Sequence, residues 1–174
     1  YARALMILTI KPILYALNVS EQEIGKISLA DAKKQAGLDT RDIAIIVSAR
    51  LEEELIALSP EEGQEMLSSL GVRSSGLDQL IRSAYQLLGL QTYFTVGEKE
   101  VRAWTVKKGA TAPQAAGVIH TDFEKGFIRA ETIGYDDFVA AGSEAKAKEA
   151  GKLRVEGKEY IVQDGDVLHF RFNV

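Results

Sequence analysis

The stretch ILYALNVSEQE, residues 13–23, begins as a continuous apolar run and turns polar at Asn18. A second run, IAIIVSA, covers residues 43–49 and is equally rich in Ile and Val. Such runs are typical of parallel strands that are covered on both faces. Between them, residues 27–42 (ISLADAKKQAGLDTRD) have the spacing of an amphipathic helix that ends at Gly37. This order of elements predicts a parallel βαβ unit and therefore an α/β fold.

The segment that follows the second strand is predicted to be helical. LEEELIAL at residues 51–58 gives a first helix, and Pro60 after Ser59 marks the start of a second. GLDQLIRSAYQLLGL at residues 76–90 gives a third helix, which ends at Gly89 and carries its apolar residues on one face. Those residues are Leu77, Leu80, Ile81, Ala84, Leu87 and Leu88.

From Gln91 onward the hydrophobic period changes to two. TYFTVGEKEVRAWTV predicts a hairpin around residues 97–99, and APQAAGVIHTDF a short helix with Pro113 in its first turn. GFIRAETIGY predicts a strand, DDFVAAGSEAKAKEAG a helix, and the last 23 residues two turns and a final strand. Two strands, a helix and further strands predict an α+β module of β-grasp, or ubiquitin-like, type.

Composition excludes several kinds of site. The 174 residues contain no cysteine and only two histidines, so thiolate catalysis and Cys-ligated zinc are excluded and a zinc hydrolase centre is poorly supplied. The absence of cysteine also suits a reducing cytosol. No apolar run reaches the roughly 18 residues of a membrane span, so we expect a soluble, cytoplasmic protein with no membrane partner.

Charge argues against binding to nucleic acid by bulk attraction. The net charge is −4 and the isoelectric point is near 5.3. Residues 1–89 hold 9 basic and 12 acidic side chains, and residues 90–174 hold 12 and 13. Any contact with RNA must therefore come from a local patch, and no DNA partner is expected.

The polar tips of the two apolar runs predict a ligand site. In doubly wound α/β sheets, ligands bind at the carboxyl ends of parallel strands, and Asn18 and Ser48 lie at two such ends. The Asn18 amide can join one loop to the other, and Ser48 with Ala49 can present a backbone N–H to a nucleobase. The alternative is structural: Asn18 turns the chain, and Ser48 caps the next helix with Glu52 or Glu53 reciprocating.

Two motifs at these tips resemble a known family. KPILYALNVSE, followed about thirty residues later by IVSARLEEEL, resembles the fourth and fifth nucleotide-binding motifs of P-loop GTPases. More narrowly, the chain is similar to the YchF subfamily of Obg-like ATPases, and residues 87–138 and 162–174 look like its C-terminal TGS domain. The resemblance implies the end of an inserted helical arm at residues 1–12, a C-terminal part of a G domain at residues 13–89 and a TGS domain at residues 90–174.

The fourth motif departs from the guanine-reading pattern Asn-Lys-x-Asp. Here it is Asn18-Val19-Ser20-Glu21, so Val19 lacks the lysine stem and the longer Glu21 places its carboxylate out of register with guanine. The C=O and N–H of Val19 are a pair that suits adenine. The resemblance implies a preference for ATP over GTP, with base contacts from six residues: Asn18, Val19, Glu21, Ser48, Ala49 and Arg50.

The phosphate-binding parts of such an enzyme are absent from the sequence. It contains neither a G-x-x-x-x-G-K-[ST] loop nor an Asp-x-x-Gly magnesium motif. The resemblance places the ATP phosphates and Mg²⁺ on residues upstream of Tyr1. We therefore expect no catalytic residue, no metal ligand and no hydrolysis in these 174 residues alone.

The TGS-like half contains one basic and aromatic cluster: Lys99, Arg102, Trp104, Lys107, Lys108 and His120. Its four Lys and Arg side chains are the expected contacts with the ribosome or ribosomal RNA, and Trp104 or Tyr93 is available for base stacking. Strand alternation instead favours a core or half-buried Trp104, and His120 is read as a structural histidine.

Two functions remain open from the sequence. The first is the C-terminal part of a ribosome-associated P-loop nucleoside triphosphatase that binds and hydrolyses ATP. The alternative is a noncatalytic β-grasp interaction module against which the α/β piece packs.

Overall fold

The computed structural model describes residues 11–97 and 100–173. The chain divides into two compact units between Leu88 and Gly89. Of the helical arm expected at residues 1–12, the first ten residues lie outside the described part.

The first unit begins with the predicted βαβ unit. Strand β1 is Leu14–Asn18, helix α1 is Leu29–Gln35 and strand β2 is Ile43–Val47, with β1 and β2 parallel. The register pairs Asn18 with Val47, so both strands end at the same edge. Helix α1 begins at Leu29 because Ser28 accepts a hydrogen bond from the backbone of Asp31, and the chain reverses at Gly37, where φ is +70°.

The two strands are less covered than their continuous apolar sequence predicts. In β2, Ala44 and Ile45 are buried but Ile43 is 44% exposed, and in β1 no residue is fully buried. The expectation of strands covered on both faces is therefore wrong for the described residues, because the elements packed on this sheet leave parts of both strands exposed.

Three more helices follow in the described part of the first unit: α2 (Ala49–Ile56), α3 (Pro60–Ser69) and α4 (Gly76–Leu88). Helix α3 begins with Pro at its first position and a full capping box between Ser59 and Glu62. The core packs Leu51 of α2 and Leu67 of α3 against Ile24. The face predicted for α4 is largely exposed, with Leu77 at 56% and Ile81 at 49%.

The second unit is a five-stranded mixed sheet. Strands β3 (Leu90–Val96) and β4 (Val101–Lys107) form the predicted antiparallel hairpin. Strand β5 is Phe127–Gly134, β6 is Arg154–Glu156 and β7 is Asp166–Phe172. The strand order is β4-β3-β7-β5-β6, in which β7 lies centrally, parallel to β3 and antiparallel to β5.

Helices contribute to a core on each face of this sheet. The short helices α5 (Ala112–Ile119) and α6 (Thr121–Lys125) pack on one face with Tyr93, Phe127 and Phe170. The residues predicted as one helix at 136–151 form two, α7 (Tyr135–Ala141) and α8 (Glu144–Glu149). The division occurs at Gly142, where φ is +75° and Ser143 caps the new helix. Ala147 of α8 packs on the other face with Ile133 and Val167.

Candidate functional site

Asn18 joins the two strand ends as its position predicts. Its Oδ1 accepts a hydrogen bond from the backbone N–H of Ala49 at 3.0 Å, across 31 residues of chain. Because β1 and β2 are parallel and end in register, the loops that leave them begin side by side. A short amide side chain therefore reaches from the first loop to the start of α2.

Two backbone N–H groups around this contact already have hydrogen-bond acceptors within the protein. Val19 donates its N–H to the carbonyl of Val47 at 2.9 Å, and its side chain packs beside Ile24 and Leu51. The expected donor and acceptor pair of Val19 therefore lacks its donor in this structure. The N–H of Ala49, expected to face a base, is likewise held by Asn18.

Ser48 has the capping role that the structural alternative gave it. Its side chain is 2% exposed, and its hydroxyl accepts from the N–H of Leu51 at 3.5 Å. Glu52 does not complete a capping box with it. The Glu52 carboxylate instead accepts from the N–H groups of Gly76, at 2.6 Å, and Leu77, at 3.3 Å.

Glu21 and Arg50 face each other over the two loops. The Arg50 Nε lies 3.5 Å from Glu21 and 3.4 Å from Glu54, and the Arg50 side chain is 75% exposed. An exposed pair of this kind contributes little stability. The Glu21 carboxylate thus lies beside the first turn of α2. Because β1 and β2 end in register, the six residues predicted to contact a base all lie at one edge of the sheet.

The basic residues predicted in the second unit do not form a single cluster. Along β4, Arg102 shares a face with Trp104, and its guanidinium lies over the indole ring at 4.2 Å. Lys107 lies on the opposite face and Lys108 follows the strand, because strand side chains alternate between faces. Lys99 lies outside the described residues.

The aromatic and imidazole groups of this region have structural roles. Tyr93 is fully buried, burial raises its pKa, and its hydroxyl donates to the carbonyl of Ala115 at 2.8 Å, so it cannot stack on a base. Trp104 is half-buried beside the core and donates its ring N–H to Thr95 at 2.9 Å. His120 caps α6 by accepting from the N–H of Asp122 at 3.2 Å.

A polar network surrounds the turn at residues 164–166 and was not predicted from the sequence. The buried Asp166 carboxylate accepts from the Tyr160 hydroxyl at 2.7 Å and from the backbone N–H of Gln163 at 2.9 Å, while Arg154 lies 3.7 Å away. Burial first, and then the bond to Asp166, raises the pKa of Tyr160 to about 12. The Asp-Gly-Asp turn at residues 164–166 was the available signal, but its partners lie elsewhere in the sequence.

A second polar group is formed by residues of β5, β7 and α8. Ligand atoms of Glu131, Glu144 and His169 lie within 4.8 Å of one another. Glu131 is already paired with Arg171 at 3.0 Å and with Arg129 at 3.5 Å. Because these guanidiniums neutralise the carboxylate that a cation would need, we assign no metal to the group.

Comparison with known proteins gives matches along the whole chain. It is 57% identical over 176 aligned positions to a protein of Bacillus subtilis named ribosome-binding ATPase YchF, covering 99% of this chain and 48% of the relative. The protein of that name in Escherichia coli O157:H7 is 51% identical, covering 99% and 47%. The chain thus spans about half the length of the curated relatives that it matches.

Structure comparison and a family model agree with these matches. The structure titled as the Schizosaccharomyces pombe YchF GTPase superposes with a TM-score of 0.80 at 39% identity, covering 98% of this chain and 46% of that one. The family model YchF-GTPase_C, described as a protein of unknown function (DUF933), matches residues 90–173.

The matched proteins are named as ATPases or GTPases. The chain belongs to the YchF family and fits a C-terminal portion of its members, which confirms the resemblance of its motifs. In the part of the chain that the structure describes, no helix has the length and apolarity to cross a bilayer.

Proposed function

We propose that this chain is the base-recognising and C-terminal part of a ribosome-associated P-loop nucleoside triphosphatase that binds and hydrolyses ATP in preference to GTP. The observation that carries the proposal is the Asn18–Ala49 hydrogen bond, which joins the two loops at the carboxyl ends of parallel strands. Ligands of α/β sheets bind at this edge. The ATPase name of the relatives supports the same assignment.

The proposed preference for ATP rests on Val19 and Glu21, which replace the Lys and Asp of the guanine-binding motif Asn-Lys-x-Asp. Guanine recognition needs a carboxylate that accepts two hydrogen bonds from the base edge. Glu21 is one methylene longer than the Asp of that pattern and lies 3.5 Å from the Arg50 guanidinium. Val19 provides no charged stem and is packed into the core beneath the loop.

The phosphates and Mg²⁺ are assigned to a part of the protein outside these 174 residues. Mg²⁺ bound to ATP neutralises the charge that develops during phosphoryl transfer. The role of the present residues is to hold and orient the base. The isolated chain is therefore expected to show no hydrolysis and to bind ATP with a Kd no better than roughly millimolar.

The second unit is proposed to be a TGS domain of β-grasp fold that contacts the ribosome. A hairpin of β3 and β4, a crossing helix α5 and a central last strand parallel to the first support the fold assignment. The names of the relatives supply the ribosome as partner and, with it, the cytoplasm as location. The alternative of a noncatalytic module predicts ribosome binding without any nucleotide affinity.

Calorimetry on a longer protein that includes this chain tests the nucleotide role. Asn18→Ala removes the acceptor for Ala49, whereas Asn18→Asp keeps an oxygen in the same place. We expect ATP affinity to fall about tenfold in the Ala variant and to recover at least partly in the Asp variant, the change produced by about one hydrogen bond. ATP affinity that is unchanged in both variants would show that the base is bound elsewhere.

A further inference from the structure

The contact of Glu52 with the start of α4 has no role in the nucleotide chemistry described above. Glu52 lies in the first turn of α2, four residues after Ser48, and Gly76 and Leu77 open α4. The carboxylate accepts from both of their N–H groups, at 2.6 and 3.3 Å. The first N–H groups of a helix have no partner within it, and a carboxylate is a favourable one because its charge opposes the helix dipole.

The close approach at this point depends on glycine. Gly76 is buried, and a Cβ on it would lie 2.8 Å from Cγ1 of Val47 and 3.0 Å from Oε1 of Glu52. Val47 is the last residue of β2 and precedes Ser48 directly. The end of β2, the start of α2 and the start of α4 therefore meet where the second base-binding loop begins.

Residues 48–50, the N-cap and first two residues of α2, are thus held from two sides. Asn18 fixes them toward β1 through Ala49, and Glu52 fixes the first turn of α2 toward α4. Leu51, between them, is 2% exposed and anchors the helix in the core. Packing of Leu51 fixes how closely α2 approaches the core, but it does not orient residues 48–50. The hydrogen bonds to Asn18 and from α4 to Glu52 do so because hydrogen bonds are directional.

We infer that Glu52 is a positioning residue for base recognition: by capping α4 it sets the place of residues 48–50, the N-cap and first two residues of α2, which are proposed to contact the nucleobase. This inference rests on the proposed nucleotide function. It predicts that loss of the cap weakens interactions with the base and leaves interactions with the phosphates unchanged. A purely stabilising role would predict equal effects on both.

The test compares two probes by calorimetry on a longer protein that includes this chain: ATP and inorganic tripolyphosphate, which has no base. Glu52→Ala is expected to weaken ATP binding about tenfold with little change for tripolyphosphate, the scale of a lost charge-assisted hydrogen bond. Glu52→Gln keeps the shape and one acceptor oxygen, so a smaller loss in the same direction is expected. Glu53→Gln, at an exposed position of the same helix, is the matched control and should bind both probes like the wild type.

The outcomes separate the two levels of the proposal. If Glu52→Gln melts at the wild-type temperature and keeps the wild-type ratio of ATP to tripolyphosphate affinity, the positioning role is wrong and the proposed function stands. If Glu52→Ala unfolds, the Gln variant decides by the same ratio. If the wild-type protein binds ATP no more tightly than tripolyphosphate, base recognition itself is absent, and both the proposed function and this inference fail.

Discussion

At the scale of single residues, Gly76 is a buried position of the first unit at which an added methyl group has too little room. Gly76→Ala would place a methyl group against the Val47 side chain and the Glu52 carboxylate, at 2.8 and 3.0 Å. We expect the free energy of unfolding to fall by about 1–3 kcal/mol, the cost of overpacking a close contact. Chemical denaturation followed by circular dichroism measures the change.

Gly63→Ala is the matched control for this substitution. The added Cβ would meet only Cδ2 of Leu55 at 3.5 Å, which is an ordinary contact. Because alanine favours a helix over glycine, we expect stability to stay constant or rise by up to about 1 kcal/mol. A loss as large as that of Gly76→Ala would show that the cost does not arise from crowding at Gly76.

Glu131 gives the second unit a stability that depends on pH. The hydrogen bond from Arg171 holds the pKa of the Glu131 carboxyl below its ordinary value of 4.5. Its contribution to stability is therefore fully present above pH 4.5 and is lost as the pH falls through the lowered pKa of the folded state. In Glu131→Gln, the free energy of unfolding should fall less steeply with acidification below pH 4.5.

Denaturation at a series of pH values checks this expectation, with Glu149→Gln as the control because Glu149 is exposed on α8. The control should follow the wild type throughout the acid range. An acid dependence of Glu131→Gln equal to that of the wild type would mean that the Arg171 pair does not stabilise the folded state.

At the scale of helices and strands, short sequence patterns correctly predicted several elements of the fold. The parallel pair β1 and β2, the helix start at Pro60 and the β3–β4 hairpin follow from short-range patterns and agree with the structure. The division of residues 136–151 at Gly142 was missed, although Gly followed by Ser is a helix stop followed by a cap.

The candidate site shows the same limit. The role of Asn18 in joining the two strand-end segments could be predicted because Asn18 ends a predicted strand. Its hydrogen bond with Ala49 follows from the parallel pairing. The capture of the Val19 N–H by Val47 and the cap of α4 by Glu52 were not foreseeable. Both depend on the exact register or on contacts 24 to 28 residues apart, which a residue pattern does not specify.

Alanine substitutions on the two faces of strand β4 are expected to change the free energy of unfolding by different amounts. Trp104 packs beside the core, bonds Thr95 and carries Arg102 over its ring, whereas Lys107 lies exposed on the other face. Trp104→Ala should lower the free energy of unfolding by about 2–4 kcal/mol, below the full cost of a completely buried ring. Lys107→Ala should change it by no more than about 0.5 kcal/mol.

Unfolding of these variants is followed by circular dichroism, because Trp104 is the only tryptophan of the chain and its removal abolishes indole fluorescence. Equal stability of Trp104→Ala and Lys107→Ala would contradict the assignment of the inward face. It would also restore Trp104 as a candidate for stacking on a base.

At the scale of the whole molecule, an acidic protein is expected to contact RNA through cationic side chains that are not paired with acidic ones. All four arginines of the second unit lie within 4.0 Å of an acidic side chain: Arg102, Arg129, Arg154 and Arg171. Lys107 and Lys108 are exposed, and among the described residues neither forms an ion pair. Among the members of the predicted set that the structure describes, they are therefore the cations most available to phosphate.

The ribosome prediction accordingly depends on Lys107 and Lys108. Each cation that neutralises a phosphate contributes about one unit to the slope of log affinity against log salt concentration. In a longer protein that includes this chain, charge reversal of both to Glu should weaken co-sedimentation with ribosomes and flatten that slope by about two units, with the melting temperature nearly unchanged. Reversal of Lys146 and Lys148, exposed on α8, changes the net charge equally and should have a smaller effect, since it alters only the overall attraction. If both pairs weaken binding equally, net charge rather than this end of β4 governs the contact with the ribosome.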